Sequence, residues 1–495
     1  MSTNDTRNVP GASGLILNEP LLWERGRRGR SAFSPPESDV PSAPPLPDDV
    51  AGNGPDWPDV SEPELVRHYT RLSTWNFGVD TGMYPLGSCT MKYNPKVNEH
   101  IAGLSGFAGA HPMLPAEASQ GALRLIFELE RMLAGIVGLK QASLQPAAGA
   151  HGELCGMLMI AAHHRHHGNK KTKVLMPDSA HGTNPATAAM AGFTEVKVPL
   201  GPDGRLEYAT VEKLADDDVA AIMVTNPNTL GIFESELGAI SAMLHERGAL
   251  VYADGANLNA VMGRVDMGAL GVDVIHYNLH KSMSTPHGGG GPGSGPVAVA
   301  ESLVPYLPGP RVVRVGDAYE WTDDLPQSIG RLHAFHGQFG IFLRAYAYIL
   351  SLGNELRTAS GLAVLAANYI QEKLKHAYDL PFDQPCMHEC VFTDARQKDD
   401  GITTLDIAKR LIDLGYHPPT IYFPLVVHGA LMIEPTETES KEELDGFIEA
   451  MLRVAGEAKT NPELLRQAPT RTKVGRLDET TAARKPILTG DMKSS

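Results

Sequence analysis

Four polar residues follow predicted strands at positions where their side chains are available for chemistry. They are His181 in PDSAHGTNP, Asn226 in VTNPNTLG, Asp254 in VYADGAN and Lys281 in NLHKS. In an open parallel sheet, ligands bind at the carboxyl ends of the strands. We therefore expect these side chains to meet in one site.

Lysine, aspartate and histidine at strand ends are typical of a pyridoxal phosphate site. The lysine amine forms a covalent bond with the cofactor's aldehyde. A carboxylate keeps the pyridine nitrogen protonated, so that the ring accepts electrons, and a flat side chain covers the ring. On this interpretation Lys281, Asp254 and His181 are the catalytic candidates.

Each candidate also has a simpler interpretation. Lys281 could be a surface lysine, and His181, which precedes Gly182, could be an ordinary loop histidine. Asp254 could cap a loop or helix through its oxygen. However, it ends the apolar run 249–251, and a buried carboxylate is costly without a cationic partner. A protonated pyridine would supply that partner.

Small residues before a predicted helix are the second candidate feature. The segment QPAAGAHGE places Ala148, Gly149 and Ala150 at a helix start, where small side chains let a phosphate approach the backbone amides. The segment lacks the glycine spacing of a P-loop or a dinucleotide fingerprint. Thr183 and Asn226 complete the candidate cofactor contacts.

Four consecutive glycines, Gly288 to Gly291, follow Lys281 after a short interval. A flexible linker is one interpretation. Because a strand-like run resumes at 295–300, we favour a tight turn beside the cofactor, where larger side chains would clash.

The elements that position these residues alternate between strand and helix. Apolar runs that predict strands lie at 173–177, 195–200, 220–227, 249–257, 272–280 and 295–300. Helical patterns at 211–216 and 234–247 lie between several of them, and a long amphipathic helix is predicted over 116–139. This alternation predicts a mostly parallel sheet that helices cover on both faces.

Composition divides the chain into four predicted segments. Residues 1–62 form an extended N-terminal arm, because 33–62 are rich in Pro, Ser and Asp. Residues 63–335 form the large domain with its leading helices. Residues 336–460 form a small C-terminal α/β domain, and 461–495 form a surface tail.

Charge and composition exclude several classes of function. The 495-residue chain has a net charge of −15, which argues against nucleic-acid binding. Its four cysteines lack the spacing of a zinc site, so no metal is expected. No apolar run reaches the roughly 20 residues that a membrane span needs. The start of the chain lacks a secretory signal core, and a cytoplasmic location is predicted.

Several segments together resemble the glycine cleavage system P-protein family. They are NLHKSMSTPHGGGGPG, YADGANLNA, DSAHGTNPA, VTNPNTLGIFE, LQPAAGAHGE, YPLGSCTMKYNPK and MIEPTETES. The resemblance runs from about residue 16 to the end, and it is to the separate second subunit of two-subunit bacterial versions. It implies the aspartate-aminotransferase-like type I pyridoxal phosphate fold, with a large, mostly parallel seven-stranded sheet and a small C-terminal α/β domain.

The resemblance also implies roles for individual residues. Lys281 matches the family's Schiff-base lysine, Asp254 the residue that faces the pyridine nitrogen, and His181 the residue that stacks on the ring. His280 and the turn 148–150 are implied phosphate contacts.

The pair Ser282–Met283 departs from the family, which more often has Thr and an aromatic residue there. Serine keeps the hydroxyl, and methionine fills similar space without a flat ring. The departure concerns details of the pocket and not the covalent attachment.

The implied activity is that of glycine dehydrogenase (aminomethyl-transferring). It decarboxylates glycine, releases CO2 and passes the aminomethyl group to the lipoyl arm of the H-protein. The implied partner is a homologous first subunit without the lysine, in a heterotetramer of two dimers. The alternatives are another type I fold decarboxylase or aminotransferase, and a non-catalytic scaffold subunit, against which the lysine argues.

Overall fold

The computed structural model describes residues 19–52, 57–288 and 293–488. Its largest sheet has seven strands in the order β1-β7-β6-β5-β4-β2-β3. They are β1 Gln141–Ser143, β2 Lys173–Pro177, β3 Thr194–Val198, β4 Val219–Thr225, β5 Leu250–Asp254, β6 Val274–His276 and β7 Val297–Val299. Strands β2 to β6 are parallel, whereas β7 is antiparallel to its neighbours β1 and β6. The predicted mostly parallel, seven-stranded sheet is confirmed.

Six of the seven strands coincide with predicted apolar runs, and β1 does not. It has only three residues, and all of them pair with β7, so its partner defines it rather than its own pattern. The run 272–280 was predicted as one strand, but β6 ends at His276. Residues 277–280 lie outside the sheet; Asn278 and His280 line the cavity described below, whereas Tyr277 and Leu279 are buried in the core.

Helices cover both faces of this sheet, as predicted. The helices of this part of the chain are α1 Leu22–Arg25, α2 Glu62–Ser73, α3 Lys96–Ala102, α4 Ser105–Ala108, α5 Ala116–Ile136, α6 Gly149–His166, α7 Thr183–Met190, α8 Tyr208–Leu214, α9 Leu237–Glu246 and α10 Leu279–Ser282. Side chains of α5 and α9 share one apolar cluster with the sheet, and side chains of α6 and α7 share another. The sheet is therefore buried between two apolar layers.

The long helix α5 follows the predicted pattern closely. Ile126, Leu129 and Leu133, at steps of three and four residues, are fully buried, so one face of the helix packs against the core. The chain leaves the helix before Gly138, whose φ of 70° suits glycine at a helix end.

A smaller sheet follows in the C-terminal part, with the order β10-β12-β11 and antiparallel pairing. Its strands are β10 Cys390–Thr393, β11 Thr420–Ile421 and β12 Ala430–Ile433, after a separate hairpin β8 Arg311–Val315 and β9 Ala318–Thr322. The helices are α11 Phe339–Leu352, α12 Leu356–Leu374, α13 Ala395–Lys398, α14 Thr404–Asp413, α15 Lys441–Thr460, α16 Pro462–Gln467 and α17 Glu479–Arg484. Short 3-10 helices lie at Leu258–Ala260, Glu301–Tyr306 and Gly353–Glu355. The hairpin was not predicted.

Residues 85–93, called the crossing segment here, attach the large-sheet part of the chain to the small sheet. Leu86 forms a bridge with Ile433 of β12, and Thr420 Oγ1 donates to the Gly87 carbonyl at 2.8 Å. The backbone at Gly87 lies directly against Met432. The two sheets are thus joined at the central strand of the small one.

The described part of the N-terminal arm contacts helix α2. Glu19 forms ion pairs with Arg25 at 2.8 Å and with Arg71 at 3.2 Å, and the Arg27 N–H donates to the Asp59 carbonyl at 2.9 Å. Residues 33–47 have no helix or strand. The predicted domain boundaries stay predictions.

Two further observations concern predictions made above. Gly289 to Gly291, most of the predicted glycine turn, lie outside the described residues. None of the helices among the described residues is long and apolar enough to cross a membrane.

Gly87→Ala is expected to destabilise the join between the two sheets. A Cβ there would lie 2.8 Å from the Met432 carbonyl oxygen and closer still to its side chain. Because overpacking of this kind costs about 1–3 kcal/mol, thermal or urea unfolding should show a clear loss. Gly78→Ala is the control, because its added Cβ would meet nothing within 4 Å. Equal stability of both variants would contradict this account.

Candidate active site

A cavity of about 270 Å³ lies where β4, β5 and β6 end. The last residues of these strands, Thr225, Asp254 and His276, all line it. The other lining residues are Ser88, Gly149, Ala150, Glu153, His181, Thr183, Thr229, Ala256, Asn257, Asn278, His280 and Lys281. The structure thus brings together most of the residues that the sequence singled out.

Lys281 lies on α10, a single helical turn that begins three residues after β6 ends. Its side chain is half-buried, and Nζ donates to the Ser88 carbonyl at 2.8 Å. The amine is therefore held inside the cavity and is not a freely solvated surface group. Ser88, on the crossing segment, was not predicted as a neighbour of the lysine.

Asp254 is buried at the end of β5. Its oxygens accept hydrogen bonds from the Ala256 N–H at 3.0 Å and from Asn184 Nδ2 at 3.2 Å, and His276 Nε2 lies 3.5 Å away. Burial alone would raise the pKa of this carboxyl, but His276 and the hydrogen bonds outweigh it and lower the pKa below its usual value. Asp254 is therefore an anion that faces the cavity.

The His276 imidazole connects Asp254 to a buried tyrosine. Its Nδ1 is hydrogen-bonded to the Tyr252 hydroxyl, and both residues are buried. Burial raises the pKa of Tyr252 well above its usual value, so the phenol keeps its proton. A phenol that donates to Nδ1 leaves Nε2, the nitrogen that faces Asp254, to carry the ring hydrogen. Neither residue was predicted from the sequence.

Glu153 is a further site residue that the sequence did not reveal. It is buried on α6 and accepts hydrogen bonds from Thr183 Oγ1 at 2.8 Å, Asn184 Nδ2 at 3.1 Å and Thr187 Oγ1 at 3.2 Å. It thereby ties α6 to the start of α7. A glutamate in a helix usually indicates a solvated face, and only its position four residues after Gly149, one helical turn away, could have suggested otherwise.

His181 lies just before α7 and is exposed. Its Nδ1 is 2.9 Å from Thr183 Oγ1, and its ring meets the edge of the Phe423 ring with centroids 5.7 Å apart. These contacts fix the imidazole at the margin of the cavity.

The turn 148–150 opens α6, as predicted. Ala148 is the N-cap, and the helix begins at Gly149. A Cβ on Gly149 would lie 2.7 Å from Asn278 Oδ1, so glycine is needed for this close approach. Asn278 Oδ1 and Thr225 Oγ1 are buried without a hydrogen-bond partner among the described residues. Both therefore remain available to a ligand in the cavity.

His280 and His287 form a pair of uncharged imidazoles beside the lysine. Their ring centroids are 5.0 Å apart, and His280 Nδ1 accepts from the Ser294 N–H at 3.3 Å. Burial, together with the neighbouring His287 and Lys281, lowers the pKa of His280 to about 3. Burial and Lys281 lower the pKa of His287 to about 4. Both rings are neutral at pH 7.

Asn226 and the Ser282–Met283 pair lie apart from the lining residues. The Asn226 Oδ1 accepts from the Glu234 N–H at 3.0 Å, so that amide shapes the turn after β4. Met283 is fully buried in the main apolar cluster, and Ser282 is also fully buried. The departure from the family pattern at 282–283 thus lies in the core behind the lysine.

Comparisons with solved structures place this arrangement in one fold class. A crystal structure of glycine decarboxylase (P-protein) with a bound inhibitor matches with a TM-score of 0.69 and 23% identity, over 83% of this chain and 93% of that one. An aspartate aminotransferase from Thermus thermophilus matches with a TM-score of 0.56 and 14% identity, over 76% of this chain and 99% of that one. The chain has the aspartate-aminotransferase-like type I fold of pyridoxal phosphate enzymes.

Sequence comparisons are more specific. The family model described as glycine cleavage system P-protein matches residues 37–322, and the model described as glycine dehydrogenase, C-terminal domain, matches 359–469. A relative from Listeria monocytogenes, named probable glycine dehydrogenase (decarboxylating) subunit 2, is 54% identical over 481 residues, which are 95% of this chain and 97% of the relative. A relative of the same name from Halalkalibacterium halodurans is 54% identical over 477 residues, 95% and 98% of the two chains. The chain belongs to the glycine cleavage system P-protein family.

His280→Gln should reduce the loss of stability on acidification of the cofactor-free chain. The folded chain keeps His280 neutral down to a pKa of about 3, whereas the unfolded chain binds a proton near pH 6.5. The unfolded state therefore gains protons first, and stability falls as the pH drops below about 6.5. This histidine alone accounts for about 2 kcal/mol between pH 7 and pH 5. Urea unfolding at both pH values measures it, and an unchanged difference in the variant would contradict the assignment.

Proposed function

We propose that this chain decarboxylates glycine with pyridoxal phosphate and transfers the aminomethyl group to the lipoyl arm of an H-protein. The observation that carries the proposal is the set Lys281, Asp254 and His181 around one cavity at the carboxyl ends of a type I fold sheet. Relatives named glycine dehydrogenase (decarboxylating) subunit 2, at 54% identity along almost the whole chain, support the choice of reaction.

The residues around the cavity fit the cofactor. Lys281 offers an amine for covalent attachment, and the Asp254 carboxylate offers a buried anion for the pyridine nitrogen. The amides at the start of α6, where Gly149 and Ala150 line the cavity, would hold the phosphate. His181 would cover the ring, with Thr183 and His280 beside it. Bound there, pyridoxal phosphate supplies an electron sink for the charge left when glycine loses its carboxylate.

Asp254 and its neighbours set the charge of the site. Asp254 is ionised across the neutral pH range because its pKa is depressed, so it favours a protonated ring nitrogen. The hydrogen bonds from Asn184 and Ala256, with His276 behind them, hold the carboxylate in one orientation. A preorganised charge of this kind stabilises a reacting centre without reorganisation.

The overall reaction balances between glycine and the lipoyl disulfide. The bond between the glycine α-carbon and its carboxylate breaks, and CO2 leaves. The electron pair of that bond ends in a new bond from the carbon to one lipoyl sulfur. The disulfide breaks, and the second sulfur leaves as a thiol after it takes a proton. Glycine is oxidised and the disulfide is reduced, so no other oxidant is needed.

Two protein partners belong to this proposal. The first is a homologous first subunit, since the relatives are named as a second subunit; we propose a heterotetramer of two dimers. The N-terminal arm supports such a partner, because Phe33, Val40 and Leu46 expose 73%, 66% and 68% of their surface, and rows of exposed apolar side chains mark interaction surfaces. The second partner is the lipoylated H-protein, and the proposed location is the cytoplasm.

Exchange of carbon between bicarbonate and the carboxylate of glycine tests the reaction. We expect exchange by this chain with its first subunit, a strong dependence on lipoylated H-protein, and complete loss in Lys281→Ala. An exchange rate that does not depend on H-protein would instead indicate another type I fold decarboxylase or aminotransferase. Wild-type protein that borohydride cannot fix to pyridoxal phosphate would indicate a scaffold subunit.

Asp254→Asn should lower the exchange rate by at least about a hundredfold. The amide has nearly the same shape but no negative charge, so it no longer stabilises the protonated form of the ring nitrogen. Borohydride fixation at Lys281 should persist, because the amine is untouched. Loss of fixation together with exchange would show that the variant had lost the site rather than the charge.

A further inference from the structure

The acceptor that holds the Lys281 amine lies in a strained stretch of backbone. Ser88, whose carbonyl accepts from Nζ at 2.8 Å, has a φ of 60°, and Thr90 has a φ of 50°. Positive φ is uncommon outside glycine, and for a β-branched residue such as threonine it is a genuine outlier. Such conformations persist only where the surroundings determine them.

Two buried carboxyl groups supply those surroundings. Glu389 Oε2 accepts from the Ser88 N–H at 2.8 Å. Glu434 accepts from the Thr90 N–H at 3.0 Å and from Thr90 Oγ1 at 2.6 Å, and also from Asn259 Nδ2 at 3.1 Å. Both glutamates are fully buried. The peptide groups on either side of the one that receives the lysine are therefore each fixed by a carboxyl oxygen.

Both glutamates come from the small-sheet part of the chain. Glu389 immediately precedes β10, and Glu434 immediately follows β12. Lys281, in contrast, follows β6 of the large sheet. The crossing segment thus passes between the lysine and two adjacent strands of the other sheet, and its hydrogen bonds link the two.

The charges around Glu389 and Glu434 agree with a structural role for these two residues beside Lys281. Burial and the neighbouring Glu434 raise the pKa of Glu389, and burial raises the pKa of Glu434. His388 Nε2 lies 3.7 Å from Glu389 Oε1, but burial lowers the pKa of this histidine to about 3, so its ring is neutral. The Lys281 charge offsets part of this rise in pKa for both carboxyls, so it is a cation that the pair faces.

We propose that Glu389 and Glu434 are positioning residues for Lys281, which fix the strained Ser88–Thr90 backbone so that the Ser88 carbonyl aims the amine into the cavity. They act through hydrogen-bond acceptance and not as acids or bases. This inference rests on the proposed function only in that Lys281 is the residue to which pyridoxal phosphate becomes attached.

The test compares two substitutions at Glu389 in the full chain with its first subunit. The cofactor-free protein is mixed with pyridoxal phosphate, attachment is fixed by borohydride at successive times, and the peptide with Lys281 is quantified by mass spectrometry. Glu389→Leu removes the acceptor and should slow attachment about tenfold or more. Glu389→Gln keeps an acceptor oxygen and should attach at nearly the wild-type rate. An acid–base role would instead make both variants slow, and that result would overturn the proposal.

A rescue variant separates positioning from general damage. Ser88→Gly adopts a φ of 60° without strain and keeps both backbone groups, so Ser88→Gly with Glu389→Leu should recover part of the lost rate. The visible circular dichroism of the bound cofactor should return with it. If Glu389→Leu does not fold, Glu434→Gln replaces it, because one amide oxygen cannot serve all three donors, and a several-fold slower attachment is expected. No recovery by glycine, or a wild-type rate in Glu434→Gln, would count against the proposal.

Asp413→Leu is the matched control. Asp413 is also a buried carboxylate in the C-terminal part, and it accepts backbone N–H groups of Thr470 at 2.6 Å and Arg471 at 2.8 Å. Its loss should lower the unfolding temperature but leave the attachment rate unchanged. If wild-type protein never attaches pyridoxal phosphate, the proposed function fails. If the wild-type protein attaches pyridoxal phosphate and Glu389→Leu attaches it at the same rate, only the positioning proposal fails.

Discussion

The structure depends on keeping a charged carboxylate away from water at the end of β5. An isolated carboxylate in that position would be expensive to bury, and the fold offsets the cost with an imidazole, an amide and a backbone N–H around Asp254. Those partners come from the neighbouring strand β6, from α7 and from the turn after β5. The parallel pairing of β4, β5 and β6 brings these partners together. The charge of the site therefore depends on the topology of the sheet.

The same reasoning explains the histidines and acids around the site. Burial keeps His280 and His287 neutral, so the positive charges available to an anionic group near the lysine come from Lys281 and from the amides at the helix start. Glu153 is a further buried carboxyl group that lines the cavity. It satisfies the hydroxyls and the amide at the start of α7, which keeps Asn184 in reach of Asp254.

Local pattern predicted much of the fold, because apolar runs and punctuating polar residues are local signals. The strand 173–177 was predicted with its bounds, and α5 within a few residues. Strand β1 and the hairpin β8–β9 were missed, since a short strand is defined by a partner far away in sequence. The site candidates at strand ends were predictable for the same local reason.

What the sequence could not supply was contact between distant segments. His276 looks like one more residue of an apolar run, and Glu153 like a solvated helix charge, until the sheet places them beside Asp254. Ser88 lies 193 positions from Lys281, and no periodicity connects them. The motif resemblance identified the lysine, but its hydrogen-bond acceptor required the three-dimensional arrangement.

The antiparallel strand β7 has a consequence for how the lysine works. Lys281 lies in the connection between β6 and β7, which are adjacent in the sheet, so both ends of that connection are fixed at one place. In the proposed reaction, an amine anchored in this way stays near the cavity after it releases a bound group. It stays at a high effective concentration, and the return of the amine is an intramolecular event that needs no search. Strand β7 thus fixes the far end of the connection that carries the lysine of the proposed reaction.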